Sequence, residues 1–480
     1  MPNRESRQLL LLMANVVFYG SGTPWHLLVL GVPSIVDYAC AIRIAGTSDG
    51  PTRRRWLVLS LACNLGLLGY FKYADFFVDT IAGFVGVSTA PLSLVLPVGI
   101  SFFTFKTMSY TIDVYRREIP ACRSLWRYAM FVSYFPELVA GPIVRASVFL
   151  PQMDRELEPR WRRMASGLQI ALLGLAKKLL IADRLASFVD AVFDHPAAFS
   201  QGTVIAAVIA YSLQIYCDFS GYSDIAIGVS RVIGFDLPEN FNMPYAATSI
   251  TEFWRRWHMT LSGWLRDYLY IPLGGNRRGK LRMYVNLAIT MLLGGLWHGA
   301  NWTFVAWGLL HGVGLAAHKL WREWRIPTPA AVGSLRLTTR VLSWAATYSF
   351  VCVGWIFFRA PDFATAAVVL QKVTGLSPGG ASWLYLPLFL TLPVVILAHA
   401  IGARLQRGSV SLRAVGWNPA LRRRLQLPAA AFRVDRRATT GNYLTLRRPG
   451  FVSAAVLTAL LLALLLFTPL HRSPFIYFQF

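Results

Sequence analysis

Residues 250–300 read ITEFWRRWHMTLSGWLRDYLYIPLGGNRRGKLRMYVNLAITMLLGGLWHGA. Two histidines stand here, His258 and His298, each beside a tryptophan. His258 lies in a basic, aromatic, amphipathic segment. His298 lies at the end of an apolar run that closes in Gly-Leu-Trp-His-Gly. An ionisable side chain at the end of such a run is expensive to place at membrane depth. Apolar runs of this kind recur along the whole chain of 480 residues, which is 55% hydrophobic and only 15% charged, against about 25% charged in a soluble domain. Several approach the roughly 20 residues that cross a bilayer as a helix. The sequence therefore predicts an all-α polytopic membrane protein. It reads as one membrane domain over residues 1–480, with roughly 10–12 transmembrane helices plus re-entrant or interfacial pieces.

The net charge of +24 does not gather into one recognition face, which argues against nucleic acid as a partner. The arginines cluster in short loops between apolar runs, at 53–55, 116–127, 155–163, 277–282 and 404–448. That is the positive-inside pattern of cytoplasmic loops, which also meet anionic membrane lipids. The basic stretch 404–448 is the longest non-membrane segment and reads as a cytoplasmic loop. The five cysteines are scattered without a C-x-x-C pair and read as small buried apolar residues. Pro97 and Gly99 interrupt the apolar run 92–112, and Pro136, Gly141 and Pro142 interrupt the segment 134–142. Such interruptions require cover from protein or a water-filled cavity.

On a helical wheel for 251–270, Trp254, Trp257, His258, Leu261, Trp264, Leu265 and Tyr268 share one face. Arg255, Met259, Ser262 and Arg266 share another. This predicts a single helix lying in the interface, its arginines toward headgroups or an anionic ligand. His298 is flanked by Gly294, Gly295, Gly299 and Ala300, which leave space beside the imidazole or serve close helix packing. A neutral imidazole in a tunnel takes a proton from a hydroxyl as that hydroxyl attacks an acyl thioester. On the residues alone, catalysis and packing both remain open for His258 and for His298. His311 and His318 share a helix face, and His311 is a candidate for the same cavity. Zinc is disfavoured because no H-x-x-x-H pair anchors a site. The G-x-S-x-G match at Gly46 lies in a polar loop, and the G-x-x-x-x-G-K match at Gly274 continues with Leu281, so neither a nucleophile elbow nor a P-loop is expected. Residues 216–224 place Asp218, Tyr222 and Asp224 between the apolar runs 204–216 and 222–233. They either cap the second run or line a polar funnel. No internal repeat and no paired intramembrane charges are visible, which disfavours a transporter or polysaccharide exporter.

Several motifs, taken together, resemble the membrane-bound O-acyltransferases. They are Phe219-Ser220-Gly221-Tyr222-Ser223-Asp224, Pro238-Glu239-Asn240-Phe241, Phe253-Trp254-Arg255-Arg256-Trp257-His258, Trp264-Leu265-Arg266-Asp267-Tyr268, Tyr270-Ile271-Pro272-Leu273-Gly274-Gly275 and Leu296-Trp297-His298-Gly299. Pro97-Val98-Gly99-Ile100-Ser101-Phe102 and Pro474-Phe475-Ile476-Tyr477-Phe478 fit the branch that acetylates bacterial alginate. The resemblance implies a ring of helices around a central funnel. It implies that His298 is catalytic, with His258 beside it in the same tunnel. Trp297, Asn301 and His311 are then expected to line that tunnel, as are Arg255, Arg266, Asp218 and Tyr222. It further implies acetyl transfer for O-acetylation of an exopolysaccharide, with alginate foremost and peptidoglycan or cellulose as alternatives. The donor would be acetyl-CoA or another acetyl thioester, with no bound cofactor or metal. A periplasmic O-acetyltransferase would be the partner and the bacterial inner membrane the location. A non-catalytic membrane scaffold is the third reading.

Overall fold

The computed structural model describes residues 4–155 (except 89, 91 and 93), 161–324 and 333–407, together with 458, 460–464, 466, 468 and 473–475. Among them all regular structure is helical; the one extended pairing is an isolated bridge between Phe199 and Ala381. Among the described residues, six helical stretches are long and apolar enough to cross a membrane: His26–Gly46, Gly50–Val85, Arg163–Asp194, Gln201–Ile233, Leu337–Arg359 and Leu386–Ala403. The chain is an all-α, multi-pass membrane protein. The expected roughly 10–12 spans exceed these six partly because few of residues 408–480 are described and partly for a physical reason. Arg4–Gly20 and Ile100–Tyr115 have only 17 and 16 residues. Lys280–His298 and Trp302–Trp324 have the length, at 19 and 23 residues, but carry Asn286, Thr290, His298, His311 and His318 within the run. Two of these polar residues, His298 and His311, belong to the candidate site. Large apolar side chains such as Val17, Leu28, Phe84 and Leu397 are exposed, as expected where lipid replaces water. The basic stretch 404–448 lies outside the described residues from position 408 onward.

The residues fall into two compact units, one drawn from 1–168 and 226–238, the other from 169–225, 239–412 and 442–480. In the first, polar groups are buried but partnered, as a low-dielectric interior demands. Asp37 accepts from Ser60 Oγ (2.5 Å) and from Asn64 Nδ2 (2.9 and 2.8 Å). Lys106 is buried against the carboxylate of Glu137 and donates to the carbonyl of Phe131 at 2.6 Å. The break at Pro97–Gly99 is real: the helix begins at Ile100. Gly99 has φ +76°, and a Cβ there would lie 2.4 Å from the carbonyl oxygen of Leu138.

In the second unit, glycines bring backbones together. A Cβ on Gly174 would sit 2.4 Å from the carbonyl oxygen of Gly221, and one on Gly295 would sit 2.2 Å from that of Phe304. The helices Lys280–His298 and Trp302–Trp324 form a tight hairpin on this contact. A Cβ on Gly299 would meet the ring of Phe304 at 2.2 Å. Gly295 and Gly299 therefore serve packing and do not open space beside the imidazole.

Two sequence expectations are corrected here. The runs 204–216 and 222–233 belong to one helix, Gln201–Ile233, so Asp218 and Asp224 sit in mid-helix and cap nothing. The 251–270 stretch is not one helix. It breaks into Ile250–Trp254, Met259–Leu265 and a π-turn at Arg266–Tyr270. Ser249 caps the first piece by accepting from Glu252 N, and the chain then reverses at His258 with φ +43° and ψ +53°. Periodicity assumed continuous helical dihedrals, and a left-handed residue at the centre invalidates the wheel.

Candidate active site

His258 occupies that reversal. A non-glycine residue in the left-handed region costs about 1 kcal/mol or more and persists where its surroundings over-determine it. Two backbone bonds supply that constraint. Met259 N donates to the carbonyl of Asn240 at 2.9 Å, and Asn242 N donates to that of Arg256 at 2.8 Å. The loop after Gln201–Ile233 is thus zipped to the turn that carries the imidazole. The His258 ring is fully buried, and its Nδ1 lies 3.0 Å from Asn240 Oδ1. His258 lies outside the six membrane-spanning stretches, and burial pushes its pKa down, which keeps the ring neutral, with one nitrogen lone pair able to accept a hydrogen bond.

His298 ends the helix Lys280–His298 and is also buried. Its ring centroid is 6.3 Å from that of His258. Aromatic rings wall the pair. Trp297 and Trp307 each stand 5.1 Å from His298, and Phe358 stands 5.3 Å away. Phe219 meets His258 edge-on at 4.7 Å. Two buried imidazoles walled by aromatic rings suit proton transfer, since low dielectric strengthens each polar contact made there. His311 joins the same wall. Its ring is 4.9 Å from Trp307, and its Nδ1 accepts from Trp254 Nε1 at 3.3 Å.

The fold brings together His258, His298, Trp297 and His311. The other candidates are placed differently. Arg255 and Arg266 are exposed, and Arg266 pairs with the adjacent Asp267 at 2.7 Å. Asn301 serves as a cap: its Oδ1 accepts from Thr303 N at 3.0 Å, and its Nδ2 donates to the carbonyl of Pro361 at 2.8 Å. Tyr222 packs 5.0 Å from Phe475. Asp218 is buried in an ion pair with Lys178 at 2.5 Å. Lys178 also meets Asp183 at 2.8 Å, and Lys177 meets Asp224 at 2.6 Å. Paired charges therefore do exist within the membrane-spanning stretches, contrary to the expectation from sequence. Their signal was the Lys177-Lys178 doublet inside an apolar run, which demands carboxylate partners. Asn240 was quoted within a motif, but its hydrogen bond to His258 has no signature in spacing.

Among the described residues, no group of three or more His, Cys, Asp or Glu side chains could hold a metal ion.

The family described as MBOAT, membrane-bound O-acyltransferase, matches residues 81–357, a span that holds both histidines. The chain is 44% identical over 371 residues to the "Probable alginate O-acetylase AlgI" of Azotobacter vinelandii, covering 75% of this chain and 71% of that protein. It is 43% identical over 368 residues to the protein of the same name from Pseudomonas aeruginosa, covering 75% and 68%. It is 38% identical over 400 residues to the "Peptidoglycan O-acetyltransferase" of Helicobacter pylori, covering 77% and 74%. With a buried histidine pair inside the matched span and this extent of identity, the chain belongs to the membrane-bound O-acyltransferase family and is an O-acyltransferase.

Proposed function

We propose that this chain transfers an acetyl group from a thioester donor to a hydroxyl of a polysaccharide, with His298 as the general base. The observation that carries the reading is the buried pair His258–His298, 6.3 Å apart within aromatic walls. His298 takes the hydroxyl proton as the oxygen attacks the thioester carbonyl carbon. The carbon–sulfur bond then breaks, and the departing thiolate takes the proton from the imidazolium. His258 accepts a hydrogen bond from a neighbouring hydroxyl of the same sugar and so orients the acceptor. Trp297, His311 and Tyr222 line the path, and Asp218 holds the neighbouring helix through Lys178. The exposed Arg255 and Arg266 meet lipid headgroups or the anionic part of the donor.

The donor is acetyl-CoA or another acetyl thioester from the cytoplasmic side of a bacterial inner membrane, and the chain works as a single membrane domain. Alginate is the acceptor that the names of the 44% and 43% identical relatives support. Peptidoglycan is the second reading, favoured by the 38% identical relative. A periplasmic O-acetyltransferase is its partner. The test is full-length protein in proteoliposomes, given radiolabelled acetyl-CoA with alginate or with peptidoglycan fragments. Label on alginate supports the first reading and label on peptidoglycan the second. Solute uptake without transfer to either polymer would contradict both.

A further inference from the structure

Asn240 is buried, and the atoms around its amide fix which end is oxygen. Thr260 N lies 3.3 Å from Oδ1 and Thr260 Oγ1 lies 2.8 Å from it. A backbone N–H can only donate, so the amide oxygen must face this side; a flipped amide would set N–H against N–H. The Nδ2 on the other side faces Ser223 Oγ at 3.4 Å. The same Oδ1 is 3.0 Å from Nδ1 of His258. Two acceptors cannot share that contact, so Nδ1 carries the hydrogen and Nε2 carries the lone pair. Nε2 is buried and meets no hydrogen-bond partner among the described residues. A buried lone pair of this kind is costly unless something donates to it.

We infer that Asn240 is a positioning residue that locks His258 in the Nδ1–H tautomer and so presents Nε2 as an acceptor for a substrate hydroxyl. The chemistry that fits Nε2 is a donor: a hydroxyl satisfies it, whereas a carbonyl or thioester does not. This rests on the proposed acyl transfer and names which part of the substrate His258 reads. The amide's partner atoms come from His258 itself, from Thr260 after the reversal and from Ser223 on Gln201–Ile233, so one amide ties the tautomer to the backbone reversal.

The test uses full-length protein in lipid bilayers with isotope-labelled histidine, read by solid-state nitrogen NMR and assigned through the signal lost in His258→Gln. The wild type is expected to show a protonated Nδ1 and a bare Nε2. Asn240→Asp keeps an acceptor and is expected to keep that pattern; Asn240→Leu is expected to lose it. Acetyl transfer from radiolabelled acetyl-CoA to alginate should fall by about 10²–10⁴ in kcat for Asn240→Leu, the range seen when a catalytic imidazole loses its tautomer control, and should be largely retained in Asn240→Asp. A protonated Nε2 in the wild type, or an unchanged tautomer or kcat in Asn240→Leu, overturns the inference. A bare Nε2 in a wild type that transfers nothing counts against the proposed function and leaves the tautomer lock standing.

Discussion

The rings of His258 and His298 lie 6.3 Å apart and are inclined by 57°, yet they reach that position by different means. His298 is delivered by the end of a regular helix. His258 is delivered by a left-handed reversal pinned to Asn240 and Asn242. One of them depends on helix packing and the other on a strained turn, so substitutions around each should fail differently.

If the two imidazoles serve one transfer, their losses are not additive. His258→Gln should lower acetyl transfer by about 10²–10⁴, the range for removal of a positioned acid–base group. His258→Gln combined with His298→Ala should be no worse than His298→Ala alone. Steady-state transfer rates of the purified variants check this; a double variant whose loss equals the product of the single losses would show that the histidines act independently.

The hairpin that delivers His298 depends on Gly295. A Cβ there meets the carbonyl oxygen of Phe304 at 2.2 Å and Gly308 Cα at 3.0 Å, both backbone atoms that cannot swing aside. Gly295→Ala should destabilise the protein by about 1–3 kcal/mol, as for other overpacked sites. Gly279→Ala, at the start of the same helix, meets no atom within 4 Å but has φ +85° and ψ 166°, a conformation nearly confined to glycine, and should also cost about 1–3 kcal/mol. Thermal unfolding in detergent should place both variants below the wild type, and a wild-type midpoint for Gly295→Ala would show that the hairpin contact can relax.

Lys106 and Glu137 are both buried, with side-chain exposures of 2% and 0%. Lys106→Met leaves an uncompensated carboxylate and should cost about 3–5 kcal/mol, whereas Lys106→Met with Glu137→Leu should recover much of that loss. Unfolding midpoints of the single and double variants check it. A double variant less stable than either single would show that the pair itself is required.

The proposed transfer uses no metal ion. Exhaustive dialysis against a chelator should leave acetyl transfer within about twofold, whereas catalytic metal sites commonly lose far more when their ligation is disturbed. Loss on dialysis that zinc restores would point to a site that the mechanism lacks.

The apolar runs and the histidine motifs were legible because composition and local order survive in a linear string. Three features were not. The 251–270 wheel failed because one residue, His258, leaves helical dihedrals, and periodicity carries no warning of that. The polar cluster 216–224 looked like a break because its partners, Lys177 and Lys178, lie far upstream; once paired, its carboxylates are tolerated inside a continuous helix. Asn301 looked like part of a tunnel wall through its place beside the Trp-His-Gly motif, but its side chain caps the next helix. Proximity in sequence to a functional residue says little about which way a neighbour's polar atoms turn.

The most direct measurement is the acetyl content of the polysaccharide made by cells whose own gene is replaced by wild type or by His298→Ala, with membrane levels of the protein matched. The proposed mechanism predicts acetylation reduced by about 10³-fold or more, in keeping with the combined loss of a general base and its ordered site. Acetylation at the wild-type level in His298→Ala would contradict it and leave the chain as a scaffold for catalysis elsewhere.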